Sequence, residues 1–265
     1  MTTLIAAFAL SLAFAGAAQA STTTWTPAVN IDHNGGTMLS DSCASTTQCV
    51  GIDFNGQEVT FNPQTSTAQA PVDIDGIQLL RAVSCPSTGL CVALDARGAA
   101  VSFNPSNGQI IAGPAVIDRY NTFYGISCYS TGQCTALDRN GGEVTFDPET
   151  LGIISGTTVD SAGDTERLSC PAADQCTAVD DGGGEVTFNP QSPPVTPLTP
   201  TIIDTATPAA NHALYVVSCP DTTHCTAIDA GGNEVTFNPV TPGTPATTTA
   251  DLEGGTGSLY SVSCF

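Results

Sequence analysis

Residues Val217–Asp229 read VSCPDTTHCTAID and contain two cysteines six positions apart, with a histidine directly before the second and an aspartate four positions beyond it. Such a segment could belong to a metal site, a redox pair or a disulfide staple. Four other segments of the chain carry the same cysteine spacing in a related sequence. The five copies together decide between these alternatives.

An alignment on the first cysteine of each pair extends the similarity to about 24 residues per copy. The copies read LSDSCASTTQCVGIDFNGQEVTFNP from Leu39, AVSCPSTGLCVALDARGAAVSFNP from Ala82, GISCYSTGQCTALDRNGGEVTFDP from Gly125, RLSCPAADQCTAVDDGGGEVTFNP from Arg167 and VVSCPDTTHCTAIDAGGNEVTFNP from Val216. Their first cysteines are 42, 43, 42 and 49 residues apart. A period of this length is typical of stacked or radially arranged units.

Every local signal within a unit indicates β-structure. A run ending at Ser-Cys, a run ending at Asp and a Glu-Val-Thr-Phe run predict three strands, and a fourth run follows a loop rich in Thr and Pro. Four antiparallel strands in about 42 residues are typical of a propeller blade. A β-helix is the alternative, but its coils are usually shorter. We therefore predict an all-β fold, a β-propeller of four-stranded blades with five complete blades and a partial sixth.

The cysteine spacing brackets the loop between the first and second strands, so each pair should face across one hairpin. Directly opposed residues are about 4.5 to 5.5 Å apart at Cα, which a disulfide can bridge. Zinc is the alternative at His224, but the other copies hold Gln48, Leu90, Gln133 and Gln175 there. The predicted disulfides are Cys43–Cys49, Cys85–Cys91, Cys128–Cys134, Cys170–Cys176 and Cys219–Cys225.

The two ends of the chain each copy a single strand. Trp25–Asp32 resembles a fourth strand, and residues 259–265 (LYSVSCF) resemble a first strand whose cysteine, Cys264, would pair with a residue at about position 270. We therefore expect the N-terminal fourth strand and the C-terminal first strand to form a partial sixth blade, and residues 21–265 to form one propeller domain truncated at its C-terminal end.

Residues 1–20 have the pattern of a secretory signal peptide, with an apolar run from Leu4 to Ala15 and small residues at Ala18 and Ala20. No basic residue precedes the run. A membrane anchor is the alternative, but the run is short for a membrane span and contains Ser11. We expect a secreted, extracellular protein, which agrees with predicted disulfides because these form in oxidising compartments.

The repeats resemble a secreted bacterial β-propeller family whose blades carry SCPS-x3-C-x-AVD-x-x-G. The resemblance covers Trp25 to Phe265, and Ala44 and Tyr129 replace the motif's proline in two copies. It implies an extracellular propeller, often a binding or sensing module. It supplies no catalytic residues to transfer to this chain.

The composition excludes several partners. The chain has 25 Asp plus Glu against 5 Arg and no Lys, a net charge of −20, so nucleic acid and anionic membranes should be repelled. Strand direction places the turns after the second and fourth strands on one face, together with 19 carboxylates and all five arginines. We call this the acidic face and the opposite end the disulfide face. An Asp in D-x-x-G commonly caps its own turn, so the repeated aspartates need no ligand.

A site for chemistry or binding should depart from the repeat. No G-x-S-x-G, HExxH, Walker, GxGxxG or sialidase Asp-box motif occurs in the sequence. His33 and Glu166 depart from the repeat on the acidic face, and the segment Asp118–Tyr124 concentrates aromatic residues beside an arginine. The predicted binding residues are Arg119, Tyr120, Phe123, Tyr124 and His212. For Phe123 and Tyr124 the alternative is packing between blades, because Leu214 and Tyr215 occupy the same places in another copy.

These features predict a secreted, non-catalytic binding or scaffold propeller that interacts with an extracellular protein or glycan. The alternative is a glycan-active hydrolase or lyase that uses carboxylates of the acidic face. We expect a monomer without membrane insertion, without nucleic-acid binding and without a resident cofactor. Weak Ca²⁺ binding to the dispersed carboxylates is also expected, because Ca²⁺ prefers oxygen ligands.

Overall fold

A computed structural model describes residues 29–32, 35–119, 121–205, 212–243, 245, 247–249 and 261–264; for Glu166 and Thr249 only the backbone is described. The predicted signal peptide, residues 1–20, lies outside this part of the chain. The described residues form strands, turns and loops, and none of them belongs to a helix that could cross a membrane.

The chain repeats four kinds of strand, named here by their place in the blade. The inner strands are β1 (Met38–Ser45), β6 (Leu80–Ser87), β10 (Phe123–Ser130), β14 (Thr165–Ala172) and β18 (Leu214–Asp221). The second strands are β2 (Gln48–Asp53), β7 (Leu90–Asp95), β11 (Gln133–Asp138), β15 (Gln175–Asp180) and β19 (His224–Asp229). The third strands are β3 (Gln57–Asn62), β8 (Ala99–Asn104), β12 (Gly142–Phe146), β16 (Gly184–Phe188) and β20 (Asn233–Phe237). The outer strands are β4 (Thr67–Ala68), β5 (Val72–Asp73), β9 (Gln109–Val116), β13 (Ile153–Thr158), β17 (Thr201–Ile202) and β21 (Thr247–Thr249).

Each set of strands forms an antiparallel sheet in chain order, and the five sheets are the blades of a β-propeller. We number the blades 1 to 5 along the chain. In blade 1 the outer strand is divided, so that β4 and β5 both pair with β3. The inner strands of successive blades contact one another in the order β1, β6, β10, β14 and β18, so they surround the axis. The predicted all-β propeller with five four-stranded blades is confirmed.

The hydrophobic core lies between the blades rather than within one sheet. One cluster joins Val50 and Ile52 of blade 1 to Leu80, Val83 and Phe103 of blade 2. Similar clusters join blade 2 to blade 3, blade 3 to blade 4 and blade 4 to blade 5. Because a second strand is covered on both faces, its residues are buried in a nearly continuous run, as in β7, where all six residues, including Asp95, are buried.

The five predicted disulfides are present, and each closes the hairpin between an inner and a second strand. The Cα atoms of a pair are 3.9 to 4.1 Å apart, somewhat closer than the expected separation. His224 instead contacts Asp221, with Nδ1 2.9 Å from a carboxylate oxygen, on the exposed surface. Among the described residues, Cys264 is the free cysteine.

A serine directly before the first cysteine of each blade forms the same bond to the next blade. Its Oγ accepts a hydrogen bond from the main-chain N–H of the next first cysteine, at 3.0 or 3.1 Å. The pairs are Ser42 with Cys85, Ser84 with Cys128, Ser127 with Cys170 and Ser169 with Cys219. The SC dipeptide therefore serves two purposes, because the cysteine closes its own hairpin and the serine joins two blades.

The predicted sixth blade falls largely outside the described residues. Of its strands only residues 29–32 and 261–264 are described, and neither segment is assigned to a strand. Cys264 N–H donates to Ser218 Oγ at 3.0 Å, which repeats the bond between blades. Asp41 and Cys43 of blade 1 are exposed, whereas the equivalent Val83 and Cys85 are buried against a preceding blade. Both observations fit a sixth blade position, and the sixth blade itself stays a prediction.

Replacement of Ser127 by Ala should weaken the contact between blades 3 and 4. The Cys170 N–H would lose its partner in a partly buried position, which costs on the order of 1 to 3 kcal/mol. Urea unfolding of Ser127→Ala should therefore show a lower midpoint. Ser130→Ala is the matched control, since its hydroxyl accepts an exposed N–H from Gly132 and its loss should cost under about 0.5 kcal/mol. Equal midpoints for the two variants would contradict a role for Ser127 in the contact between blades 3 and 4.

Candidate functional site

Each second strand ends at an aspartate that caps the following turn. Its Oδ1 accepts hydrogen bonds from the N–H groups two and four residues later, for example from Arg97 and Ala99 to Asp95 at 2.8 and 2.7 Å. The same pair of bonds is made by Asp53, Asp138, Asp180 and Asp229. These bonds confirm the structural interpretation of the D-x-x-G motif.

The glycine of this motif is required by both backbone conformation and space. Gly98 has φ of 80°, a region in which L side chains are strained, and a Cβ there would stand 1.9 Å from the carbonyl oxygen of Asp118. The Gly98 carbonyl in turn accepts hydrogen bonds from Ile117 and Asp118 N–H at 2.9 and 3.0 Å. The turn after the second strand therefore holds the end of the outer strand. Asp95 and Asp118, which follow these two strands, both lie on the acidic face as predicted.

Aspartates of neighbouring blades meet at this face. Asp75 ends the outer strand of blade 1, and its pKa is raised to about 6, first by burial and then by the nearby Asp95 carboxylate of blade 2. Burial also raises the pKa of Asp138 and Asp160, and the neighbouring carboxylates of Asp118 and Asp180 add to the effect. A carboxyl group whose pKa is raised in this way stays protonated to a higher pH than a solvated one.

Three of the glutamates near the start of the third strands, which the sequence pattern places among the 19 carboxylates of the acidic face, are buried rather than surface charges. Glu58, Glu143 and Glu185 are buried, with 1, 1 and 4% exposure. Each carboxylate accepts a hydrogen bond from the threonine two residues later, at 2.8 to 2.9 Å. Burial raises the pKa of all three to about 7. The folded protein therefore favours the neutral, protonated form of these three side chains.

The carboxylates do not assemble into a metal centre within the described residues. No group of three or more His, Cys, Asp or Glu side chains there is arranged to hold a metal ion. Weak Ca²⁺ binding therefore stays a prediction about dispersed sites.

A β-bulge recurs at the second residue of every inner strand. The register shifts there in all five blades, and the bulged residues are Leu39, Arg81, Tyr124, Glu166 and Tyr215. We call these residues the bulge ring, since they lie at one level on the strands around the axis, at the acidic face. Bulges re-aim side chains and are common next to binding sites. The backbone feature is repeated, but the residue at the bulge differs in nearly every blade.

Three arginines converge on Tyr124 of the bulge ring. The Arg81 guanidinium lies 4.9 Å from the centre of the Tyr124 ring and that of Arg139 lies 5.7 Å from it. Arg167 Nη1 donates a hydrogen bond to the Tyr124 carbonyl oxygen. Arg139 also pairs with Asp164 and Asp181, at 3.3 Å each. Tyr124 is thus held by residues from blades 2, 3 and 4.

The structure separates the residues predicted for binding. Phe123 is fully buried in the core between blades 2 and 3, because the first residue of an inner strand is a core position in blades 2 to 5. Tyr124 is half-buried in the bulge ring, whereas Arg119 is exposed. Tyr120 lies outside the described residues. His212 is half-buried, and its Cβ would be 3.3 Å from a Cβ placed on Gly183.

Sequence reasoning did not single out Arg81, although a signal was present. Arg81 and Tyr124 both stand four residues before the first cysteine of their blade. This column of the alignment varies, but so do the columns on either side of it, so variation alone does not distinguish it. The bulge that sets the column apart is invisible in the sequence, because it is a change of register between two strands.

A cleft of about 430 Å³ opens on the acidic face between blades 2 and 3. Asp118, Asn121, Asp138, Asn140 and Glu143 contribute to its lining. Asn140 Nδ2 donates to Asn121 Oδ1 at 2.6 Å, and Asn121 Nδ2 donates to Asp118 Oδ2 at 3.3 Å. The cleft therefore combines a network of amides with three carboxyl groups.

Comparisons with known proteins support the fold alone. No family of related sequences matches the chain, and no curated protein does. Among solved structures, the computationally designed Ika8 protein is similar with a TM-score of 0.60 and 11% identity, over 80% of this chain and 61% of the designed one. U3-55K is similar with a TM-score of 0.64 and 7% identity, over 83% of this chain and 66% of U3-55K. The chain thus spans about two thirds or less of either neighbour.

The buried glutamates predict that the protein is most stable in mildly acidic solution. The pKa of Glu58, Glu143 and Glu185 is about 7 in the folded protein and 4.5 ordinarily, so the folded state holds more protons between these values. The free energy of unfolding should therefore be highest below pH of about 5 and fall as pH rises to about 8, by at most about 1.4 kcal/mol per pH unit and group.

Urea unfolding between these pH values measures this dependence. Glu143→Gln should weaken it, because the amide keeps an acceptor for Thr145 and cannot ionise. Glu149→Gln removes a charge from an exposed position and is the control. A Glu143→Gln profile identical to that of the unmodified protein would show that this carboxyl group is not a source of the dependence.

Proposed function

We propose that this chain is a non-catalytic binding or scaffold propeller that takes an extracellular protein or glycan at the bulge ring. The observation that carries the proposal is the contrast within the ring, where a backbone bulge is repeated in five blades at a position whose residue differs. A position that serves the fold repeats its residue, as the capping aspartates do, or stays buried, as the first residue of the inner strand does in blades 2 to 5. Arg81, Tyr124 and Tyr215 do neither, so they are free to recognise a partner.

The side chains of the ring suit recognition. Tyrosine and arginine are enriched where binding energy concentrates, since they offer large contact area together with directional polar groups. Tyr124 is fixed by its contacts with Arg81 and Arg139, and the inner strands beneath it are held by disulfides. A site on rigid strands loses little conformational entropy when a partner binds.

Secretion is part of the same proposal. Five cysteine pairs at disulfide distance fit an oxidising environment, in which such bonds persist. The signal-peptide pattern of residues 1–20 supports export. The motif resemblance to secreted bacterial propellers supports the same location and a role in binding or sensing.

The second candidate is a glycan-active hydrolase in the cleft between blades 2 and 3. The observation in its favour is Glu143, whose burial-raised pKa of about 7 would suit a general acid beside Asp118 and Asp138. Against it, Glu58 and Glu185 have the same threonine partner and the same raised pKa in other blades. A group repeated in this way is better explained by folding than by catalysis.

Substitution of the ring tyrosines tests the binding proposal. Partners would be sought with the purified protein on a glycan array and in a pull-down of extracellular proteins, and each hit would be titrated with variants. The double variant Tyr124→Ala with Tyr215→Ala should weaken binding at least about tenfold, because it removes two aromatic contacts. Tyr129→Ala is the matched control, since Tyr129 is 48% exposed on the disulfide face, and it should change affinity less than about twofold.

Thermal unfolding of the same variants separates binding from folding. Loss of affinity in Tyr129→Ala but not in the double variant would place the site on the disulfide face. The absence of any specific partner in both screens would contradict the binding function. Hydrolysis of an array glycan that is lost in Glu143→Gln would favour the second candidate instead.

A further inference from the structure

We propose that Arg81, stacked on Tyr124, binds a carboxylate group of the ligand, an inference that rests on the proposed function of the bulge ring. The ligand class is a small monocarboxylate, either an acidic sugar or the carboxylate of a peptide. The sequence-based prediction gave this role to Arg119, which is exposed. The contacts of Arg81 favour it over Arg119 as the carboxylate-binding residue.

Arg81 is the arginine of the cluster that has unused donors. Its Nε is buried and has no hydrogen-bond partner, and Arg81 forms no ion pair within the part of the chain that the structure describes. Arg139, the other arginine near the Tyr124 ring, has Nε against Asp164 and Nη2 against Asp181. Because the protein covers Nε, a ligand carboxylate would pair with the two Nη groups at the outer end of the Arg81 guanidinium.

The stacking on Tyr124 uses the face of the Arg81 guanidinium and leaves the N–H groups at its outer end available. A guanidinium that lies over an aromatic ring uses its face in that contact, while its N–H groups point outward in the plane. Two of these N–H groups match the two oxygens of a carboxylate, so a bidentate pair can form without disturbing the stack. Lysine at this position would keep the charge and lose the planar fork.

The negative charge of the protein restricts how much negative charge a ligand can carry. The protein carries a net charge of −20, and the aspartates that cap the turns lie on the same face as the ring. A polyanion such as heparin or nucleic acid would meet this repulsion along its whole length. A ligand with one carboxylate meets it once and gains the short-range pair with Arg81. We therefore expect monocarboxylates to bind and polyanions to bind poorly.

Another position of the bulge ring can receive the remainder of such a ligand. Tyr215 is an aromatic residue at the same level of the inner strand of blade 5. Sugar rings and peptide side chains both pack on tyrosine, which combines a broad apolar face with a polar hydroxyl. Carboxylate and ring contacts together would orient the ligand across the axis.

Binding of defined small probes tests the proposal. The probes are sodium glucuronate with glucose as its neutral control, and the tripeptide Ala-Ala-Ala with a free or an amidated C-terminus. The readout is the NMR signal of the Arg81 Nε–H group, assigned by its loss in Arg81→Gln. We expect at least one acid to shift this signal saturably at concentrations on the order of 10 mM or below, while its neutral counterpart does not. The arm that responds identifies the carboxylate as that of a sugar or of a peptide.

Variants locate the site. Arg81→Gln should weaken binding of the active acid at least about tenfold, and Arg81→Lys should weaken it to a smaller extent. Arg119→Gln is the matched control on the same face and should change affinity less than about twofold. Urea midpoints of the variants verify that each is folded, and heparin provides the polyanion control.

Several results would overturn the carboxylate inference. These are equal binding of acid and neutral probes, no saturable shift with either acid, or a loss of affinity in Arg119→Gln that Arg81→Gln lacks. If a partner from the screens depends on Tyr124 and Tyr215 but tolerates Arg81→Gln, the carboxylate inference fails and the binding function stands. If the screens find no partner, the binding function fails first.

Discussion

The contact between consecutive inner strands is the constraint on which the rest of the protein depends. A blade of this size has no core of its own, since its apolar residues face the blades beside it. The Ser-Cys dipeptide serves this seam directly, with the disulfide closing one hairpin and the serine accepting an N–H from the next blade. Because stability is shared between neighbours, damage at one seam should affect two blades.

The placement of its carboxyl groups explains how so acidic a protein can fold. At one end of the blades, the repeated aspartates cap turns through main-chain N–H groups. The glutamates that enter the space between blades are neutral acids over part of the pH range, because burial raises their pKa to about 7. Carboxyl groups therefore act here as hydrogen-bonding groups first and as charges second.

The bulge ring shows where such a regular structure can carry information. A bulge disrupts pairing locally, so its side chain is relieved of the packing demands on its neighbours. The residue before each bulge is buried in blades 2 to 5, whereas Arg81, Tyr124 and Tyr215 at the bulges are only partly buried. Arg81 and Tyr124 meet there from adjacent blades, and the recognition chemistry of the molecule is expected at that point.

The sequence by itself determined the features that form within one blade: the strand order, the five disulfides and the capping aspartates. These depend on spacings of two to six residues, which a repeat displays directly. Only the tertiary structure decided what faces the next blade. It buried Glu143 and Phe123, and it placed Arg81 over Tyr124, 43 residues away in the chain. Such pairs are fixed by the rotation between blades and by a register shift, and neither leaves a local pattern in the sequence.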